Sequence, residues 1–290
     1  MAEEAGVAID IENLRQWIGR GDSDVDYVTI PSVHRLAATL DRDDPMPKVG
    51  DPLPPGWHYL LCPRVERHSL LGRDGHPEGG DFMPPVPLPR RMWAGSRFSF
   101  DGEPVRVGDP IGRKSEIRSV EPKSGSTGSM VFVTVKHTIS GPRGVSFVEE
   151  HDIVYREAAG PGEQPKAPKP APADATWTKT IMADPVLLFR FSALTFNGHR
   201  IHYDQPYVTG TEGYPGLIVH GPLLGLLQIE LARRANADKI PRSFEFRALS
   251  PVFAGAAFHI HGRRESDGAI TTWAANATGG LAQQGKVVFR

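Results

Sequence analysis

The stretch FNGHRIHYD, residues 196–204, holds four side chains whose types and spacing could support chemistry. Asn197, His199, His202 and Asp204 lie within eight residues of one another. Histidine exchanges a proton near neutral pH, whereas an asparagine amide can orient a water molecule but cannot take a proton from it. We therefore interpret His202 as a candidate proton-transfer residue and Asn197 as a candidate water-orienting group.

A second feature lies about twenty residues further on, at the start of the longest predicted helix. Gly221 precedes Pro222, and proline in the first turn loses only an NH group that would be unpaired anyway. A helix N-terminus carries partial positive charge, and glycine lets a ligand approach the backbone closely. Gly221 could thus stabilise a developing oxyanion, although the same residues also start ordinary helices. Together with His202 and Asn197, it would suit addition of water to a double bond conjugated with a thioester.

Metal binding is the main competing interpretation of the histidines. Zinc requires several nitrogen or carboxylate ligands on one face. His199 and His202 are three residues apart, but Gly198 argues against a helix between them. His259 and His261 would share one strand face, and nothing in the sequence links them to the cluster. We therefore expect no metal ion and no other cofactor.

Two members of the cluster also have simple structural interpretations. We expect His199 by itself to be a solvated loop residue. We expect Asp204 to cap the turn formed by DQPY.

Composition limits the class of protein. A chain of 290 residues suggests two domains. Its 33 basic and 34 acidic side chains give a net charge of −1, so no global field attracts nucleic acid or an anionic membrane. Cys62 is the only cysteine, which excludes an internal disulfide and a thiolate metal cluster. The acidic N-terminus resembles neither a signal nor a transit peptide, and no stretch suits a membrane span. We expect a cytoplasmic protein.

The clearest boundary is AAGPGEQPKAPKPAPADA, residues 158–175, whose composition is typical of an extended linker. It separates residues 1–157 from residues 176–290. Each half has a predicted helix early and predicted β-strands late, which favours an α+β arrangement of an antiparallel sheet around a helix. The predicted helices are IPSVHRLAATLDRD, with Ser32 as a candidate cap, DPVLLFRFSALT from Asp184, and HGPLLGLLQIELARRA. GPRG, residues 141–144, is a predicted hairpin turn.

The span FSALTFNGHRIHYDQPY…GYPGLIVHGPLLGLL resembles the hydratase-2 motif of the MaoC-type hot-dog enzymes. The closer similarity is to type 2 3-hydroxyacyl-thioester dehydratases and mesaconyl-C4-CoA (3-methylfumaryl-CoA) hydratases. The segments LPRRMWAGSRFSF and MVFVTVKHTISGPRGVSFVEEHDIVYRE resemble the degenerate MaoC N-terminal, or FAS1-like dehydratase, domain. The resemblance covers nearly the whole chain. It implies a double hot-dog fold, in which each half wraps an antiparallel sheet round a central helix and residues 1–157 form the non-catalytic half.

The resemblance also implies roles for single residues. In the usual motif an Asp and a His, five residues apart, hold the catalytic water; His202 matches the His, but Asn197 stands at the Asp position. The usual Asn-Pro is replaced by His199-Arg200, and the helix-start glycine matches Gly221. The catalytic candidates are therefore Asn197, His202 and Gly221, and the substrate-binding candidates are His199, Asp204, His220 and Arg200. Whether His199 or Asp204 supplies a second proton-transfer group stays open.

The favoured function is reversible hydration of an enoyl-thioester, carried by CoA or by an acyl carrier protein. Mesaconyl-C4-CoA or another short branched or dicarboxylic acyl-CoA is a candidate substrate. One alternative is a hot-dog thioesterase, which is disfavoured because the only acid well inside the central helix is Glu230, near its far end. The other is a non-catalytic acyl-thioester binding protein, which would not need the intact HYD.

The first half is expected to be structural, without a comparable proton-transfer cluster. It would line an acyl tunnel with Trp93, Phe98 and Phe100. A dicarboxylic acyl chain would need a cation at the end of this tunnel, and the candidates are Arg90, Arg91, Arg190 and Arg200. We also expect a homo-oligomer, a homodimer in the simplest case.

Overall fold

The computed structural model describes residues 9–77, 82–125, 128–157 and 167–290. Its α-helices are α1 (Ile11–Arg15), α2 (Ile30–Thr39), α3 (Pro185–Leu194), α4 (Gln205–Gly210) and α5 (Gly221–Arg234). Its strands are β1 (Gly21–Tyr27), β2 (Arg90–Ser99), β3 (Pro110–Gly125), β4 (Gly128–Gly141), β5 (Gly144–Arg156), β6 (Trp177–Met182), β7 (Pro241–Ala248), β8 (Ala257–Arg264), β9 (Ile270–Ala275) and β10 (Leu281–Phe289). Short 3-10 helices cover Trp57–Leu60, His68–Leu70 and Arg200–His202.

These strands form a continuous antiparallel sheet in the order β1-β3-β4-β5-β2-β7-β10-β9-β8-β6. The halves join where β2 pairs with β7, from Gly95 opposite Arg247 to Ser99 opposite Ser243. Outward from this junction, each half presents its second, fifth, fourth, third and first strand. The two halves therefore repeat one topology, which is the internal pseudo-dimer of a double hot-dog fold, although we find no motif that they share in sequence.

The helices differ between the halves. The longest one, α5, packs across β7, β8, β9 and β10 and buries apolar side chains such as Leu223, Leu226 and Ile229. In the first half, α2 lies mainly against α3 and the 3-10 helix Trp57–Leu60. The inner face of β2 to β5 instead forms one wall of a cavity.

Local sequence explains where the helices begin. Asp184 caps α3 as predicted, because its side chain accepts a hydrogen bond from the Leu187 N–H at 2.7 Å and Pro185 follows in the first turn. The cap predicted for α2 is wrong. Thr29 caps this helix, and its hydroxyl accepts from the N–H of Ser32 at 3.2 Å. The helix begins at Ile30, before Ser32, because Pro31 already lies in its first turn.

Two further predictions concern connections. GPRG forms the expected hairpin turn, with Gly141 opposite Gly144 and Gly144 at a φ of 96°. Residues 158–166 of the predicted linker lie outside the described residues. The rest of the linker pairs with the turn before β10, where the N–H of Ala171 donates to the carbonyl of Gly279 at 2.8 Å.

The structure bears on two further expectations, which concern membrane spans and Cys62. Among the described residues, no helix is both long and apolar enough to cross a membrane. Cys62 is buried as a free thiol, and burial raises its pKa to about 11.

Candidate active site

A cavity of about 710 Å³ lies between the halves, a size typical of small-molecule sites. Side chains and backbone from both halves line it. The second half contributes Phe189, Phe191, Ser192, Phe196, Asn197, Gly198, Tyr203 and Pro222. The first half contributes His58, Tyr59, Arg64, Gly75, His76, Arg91, Arg113, His137, Glu149 and His151.

His202 sits in the 3-10 helix Arg200–His202 with its ring buried. Its Nδ1 lies 2.7 Å from the carbonyl oxygen of Ile218. A carbonyl only accepts, so Nδ1 carries the proton and Nε2 of the neutral ring keeps its lone pair. Burial lowers the pKa of His202 to about 4, and the hydrogen bond to Ile218 opposes this effect only in part. The imidazole is therefore neutral at pH 7 and suited to accept a proton.

His220 lies directly behind this ring. The two imidazoles stack with centroids 3.6 Å apart, and Nε2 of His220 is 2.8 Å from the Ser192 hydroxyl. Burial, followed by the nearby rings of His202 and His199, holds the pKa of His220 well below its usual range. Neither His220 nor His202 lines the cavity, whereas Asn197 and Tyr203 do. The stacking and the contact with Ser192 fit support of His202 by His220 and give no sign of the predicted contact of His220 with substrate.

Asn197 faces the cavity. Its Oδ1 accepts from the N–H of His199 at 3.0 Å, and its own N–H donates to the carbonyl of Ser192 at 2.8 Å. The preceding Phe196 has a φ of 52°, a left-handed conformation that bulky residues rarely adopt. The amide oxygen is thus committed to the turn, and the amide NH₂ is the group left to meet a ligand.

The start of α5 has a packing role that the sequence did not reveal. A Cβ added to Gly221 would come within 2.5 Å of the Trp93 ring, which reaches across from β2. Gly221 therefore admits an indole from the first half, whereas we expected its missing side chain to admit a ligand. The following Pro222 does line the cavity, so the first turn of α5 reaches it.

Arg200 and Asp204 contact each other, with Nη2 and Oδ2 2.8 Å apart. Asp204 also caps α4, as predicted, by accepting from the Tyr207 N–H at 3.0 Å. The Arg200 guanidinium lies over the Tyr207 ring at 4.0 Å. Neither residue lines the cavity, so their contacts stabilise the turn after His202 and do not support the predicted binding of substrate.

His199 is not the solvated loop residue that we expected. Its ring lies 5.5 Å from that of His202 and 4.1 Å from that of His76, a residue of the first half. Burial, followed by these two imidazoles, lowers its pKa to about 2. The expectation failed because a distant segment, residues 71–77, covers the 196–204 stretch.

The first half contains a buried titratable cluster, contrary to expectation. Glu149 accepts hydrogen bonds from His58 Nε2 at 3.1 Å and from the Ser96 hydroxyl at 2.6 Å. Nδ1 of His151 lies 3.8 Å from the same carboxylate. Burial raises the pKa of Glu149, but the bond from His58 and the surrounding imidazoles outweigh it and hold the pKa far below its usual value. The sequence signal was VEEHDIV, which puts Glu149 and His151 on one face of a strand.

One group among the described residues could hold a metal ion. Asp74, His76 and His199 each offer a ligand atom, and these atoms lie within 4.8 Å of one another. Two nitrogens and a carboxylate suit zinc. A hydrogen bond of 3.0 Å between Asp74 and His76 accounts for the same proximity without an ion. The absence of a metal therefore stays a prediction.

Comparison with known proteins places this chain in a family. The model of the hydroxyacyl-thioester dehydratase type 2 family matches residues 56–254. The chain belongs to this family. It is 45% identical over 252 residues to the mesaconyl-C(4)-CoA hydratase of Chloroflexus aurantiacus. The aligned region covers 87% of this chain and 89% of that relative. It is 28% identical over 268 residues to the mitochondrial hydroxyacyl-thioester dehydratase type 2 of Schizosaccharomyces pombe, covering 81% and 87% of the two chains.

Solved structures support the fold of this chain. HtdX of Mycobacterium tuberculosis superposes with a TM-score of 0.65 at 17% identity, covering 92% of this chain and 99% of HtdX. A second Mycobacterium tuberculosis protein, described as having a double hotdog fold, has a TM-score of 0.52 at 14% identity and covers 94% and 96%. The predicted double hot-dog fold is confirmed. The family match includes both walls of the cavity, from His58 to Pro222.

Proposed function

We propose that this protein catalyses the reversible addition of water to the double bond of an enoyl-thioester. The observation that carries the proposal is His202, whose Nδ1–H is held by Ile218 and whose neutral ring lies five residues from the cavity-lining Asn197. The two relatives named above are a hydratase and a dehydratase, which are one reaction run in opposite directions.

Each candidate residue has one role in the proposed reaction. Asn197 orients a water molecule, and Nε2 of His202 takes a proton from it as the water oxygen bonds to the β-carbon. The electron pair of the double bond moves toward the thioester carbonyl, where the N-terminus of α5 at Gly221 stabilises the negative charge. A proton then adds to the α-carbon and His202 releases the proton that it took, so the net change is the addition of one water molecule. Dehydration reverses these steps.

The acyl group that we propose is short and dicarboxylic, as in mesaconyl-C4-CoA, because the relative with 45% identity is named for that substrate. The cavity supports this choice. Of the four arginines considered from sequence, Arg91 lines the cavity. Arg90 donates instead to the Tyr214 hydroxyl at 2.7 Å, and Arg200 is paired with Asp204. Among these four, Arg91 is therefore the candidate partner for a distal carboxylate.

The thioester arm would enter past three aromatic rings. Phe189, Phe196 and Tyr203 line the cavity and are nevertheless exposed, with 64%, 59% and 49% of their surface accessible. An exposed apolar rim of this kind is typical of a binding site. It suits the pantetheine arm of CoA or of an acyl carrier protein.

Thioester hydrolysis is the competing reaction on this scaffold. Its candidate acid, Glu230, accepts hydrogen bonds from Trp57 Nε1 at 3.1 Å and from Arg233 at 2.8 Å, and it also pairs with Arg42. The carboxylate is committed to these three partners, and Glu230 does not line the cavity. The test is to incubate the protein with mesaconyl-C4-CoA or crotonyl-CoA while following enoyl absorbance and free thiol. We expect loss of absorbance without thiol release; thiol release would favour the thioesterase, and neither signal would favour a binding protein.

The remaining proposals concern organisation. Residues 1–157 form the N-terminal hot-dog domain, residues 158–175 the linker and residues 176–290 the domain that carries His202. We also propose a cytoplasmic homodimer, for which the lone buried thiol of Cys62 is consistent with a reducing compartment. Light scattering of the purified protein tests the dimer.

A further inference from the structure

A small loop of the first half, Leu71–Pro77, closes on itself. Leu71 pairs with Pro77 through an isolated bridge, and the N–H of Gly72 donates to the carbonyl of His76 at 2.7 Å. Gly75 has a φ of 87°, which favours glycine. The loop therefore holds His76 in one place.

This loop docks directly on the 196–204 stretch of the second half. The N–H of Arg200 donates to the carbonyl of Asp74 at 2.8 Å, and its guanidinium donates to the carbonyl of Arg73 at 3.0 Å. A Cβ added to Gly75 would come within 2.0 Å of the carbonyl oxygen of Gly198. Two glycines thus let the backbones of the halves touch beside Asn197.

The docked loop presents an Asp–His pair. Asp74 Oδ2 accepts from His76 Nδ1 at 3.0 Å, and Oδ1 accepts from the His76 N–H at 2.9 Å. A carboxylate on Nδ1 fixes the ring and stabilises its protonated form, while Nε2 stays available to a ligand. His76 lines the cavity together with Asn197 and Gly198.

We propose that His76 is the second proton-transfer residue of this active site, and that Asp74 is its positioning residue, supplying from the first half the carboxylate that position 197 lacks. The inference rests on the proposed function. It answers the question that the sequence left open between His199 and Asp204, because Asp204 is committed to Arg200 and to α4, whereas His199 packs on His76.

The proton balance closes with two such groups. In hydration, His202 takes one proton from water while the carbon–oxygen bond forms and the double bond breaks. His76 in its protonated form gives one proton to the α-carbon, while Asp74 holds the ring in place through Nδ1. Exchange with solvent then returns a proton to His76 and removes one from His202. Dehydration uses the same two rings with their roles exchanged.

The groups near His76 come from both halves. Asp74 is on its own loop, while His199 and His202 face it from the second half and are both affected by its charge. Burial opposes ionisation of Asp74, but the hydrogen bonds from His76 outweigh it and keep the pKa of this carboxyl far below its usual value. The Asp74 carboxyl is therefore ionised throughout the working pH range.

The test measures kcat and KM against pH for wild type, His76→Gln, His76→Ala and Asp74→Asn, with mesaconyl-C4-CoA or crotonyl-CoA. The controls are the exposed His34→Gln and Asp43→Asn. We expect His76→Gln to lower kcat by about 10²-fold with little change in KM, and added imidazole to restore part of the activity of His76→Ala. Asp74→Asn should lower kcat about tenfold and move the alkaline limb of the hydration profile to lower pH, because His76 must be protonated to act and its ring loses a neighbouring negative charge.

Several outcomes overturn the inference. They are a folded His76→Gln protein within about twofold of wild type, a kcat loss without imidazole rescue in a folded His76→Ala protein, or an Asp74→Asn profile with unchanged limbs. Circular dichroism and thermal melts establish folding for each variant. A wild type that hydrates neither substrate would instead contradict the proposed function, so the two failures are distinguishable.

Discussion

The two halves share one strand order and differ in what covers the inner face of the sheet. In the second half, α5 covers it with leucine and isoleucine side chains. In the first half, the inner face of β2 to β5 lines the cavity and carries buried Glu149 with its histidine partners. A buried carboxylate lowers stability unless it is fully hydrogen-bonded. The second half therefore has an apolar core against its sheet, whereas part of the corresponding face in the first half lines the cavity.

The copies also depend on each other at the junction. Phe98 of β2 stacks on Phe244 and Phe246 of β7, with centroids 6.0 and 6.2 Å apart. Trp93 covers the start of α5, and the loop Leu71–Pro77 covers the 196–204 stretch. Neither half therefore encloses the cavity alone.

Separating the halves should have the largest effect. A fragment of residues 176–290 would expose the β7 edge and the apolar surface that Phe98 and Trp93 cover. We expect it to aggregate or self-associate and to lose activity. Size-exclusion chromatography with light scattering checks this; a soluble, active, monomeric fragment would show that the halves are independent.

Removing the buried charge of the first half should have the next largest effect on stability. Glu149→Ala leaves His58 and Ser96 without their partner, and breaking such a buried network costs about 3–5 kcal/mol. The matched control is the neighbouring Glu150→Ala, which removes only an exposed pair with Arg97 and should cost at most about 1 kcal/mol. Urea denaturation compares the two. Equal losses of unfolding free energy in the two variants would mean that the buried network around Glu149 contributes no more than an exposed ion pair.

The histidines should make the protein less stable in mild acid. His202 has a pKa of about 4 in the fold because it is buried, against about 6.5 when unfolded. Between these values the unfolded chain binds more protons, so the free energy of unfolding falls as the pH falls through this window. The loss from His202 alone is about 2 kcal/mol at pH 5. Denaturation at pH 7.5 and pH 5 should show a smaller difference for His202→Gln than for wild type; equal differences would contradict the burial of a neutral ring.

Changes at Asn197 should have a subtler effect. Asn197→Asp restores the commoner motif and adds a charge near the imidazoles, so activity should survive while the acidic limb of the pH profile moves to higher pH. Asn197→Ala removes the amide and should lose most activity through poor water positioning. EDTA should change none of these rates. Full activity of Asn197→Ala, or loss of wild-type activity in EDTA, would contradict the role given to the amide.

Local patterns were sufficient for much of the fold. Alternation of β-branched residues predicted β4, the pair Asp184-Pro185 predicted the start of α3, and the apolar run after Gly221 predicted α5, each because the signal lies within a few residues. The double hot-dog arrangement came from the family resemblance. The cap of α2 failed because Thr29 and Ser32 are both good caps, and only the position of the first turn separates them.

The site was less predictable because its decisive contacts join distant segments. Nothing within 196–204 indicates that Asp74 and His76, more than a hundred residues away, lie against His199. Nothing beside Gly221 indicates that Trp93 fills the space of a missing side chain. Close packing across a sheet junction decides such contacts, and it leaves little trace in local periodicity.

We propose above that His202 is the base of an enoyl-thioester hydratase. The most direct measurement is hydration of mesaconyl-C4-CoA or crotonyl-CoA, followed by enoyl absorbance with product identified by mass, for wild type, His202→Ala and the exposed control His34→Ala. We expect wild type and His34→Ala to form the hydrated thioester at the same rate, and folded His202→Ala to be slower by about 10²-fold or more. A folded His202→Ala protein with near wild-type turnover would contradict the claim.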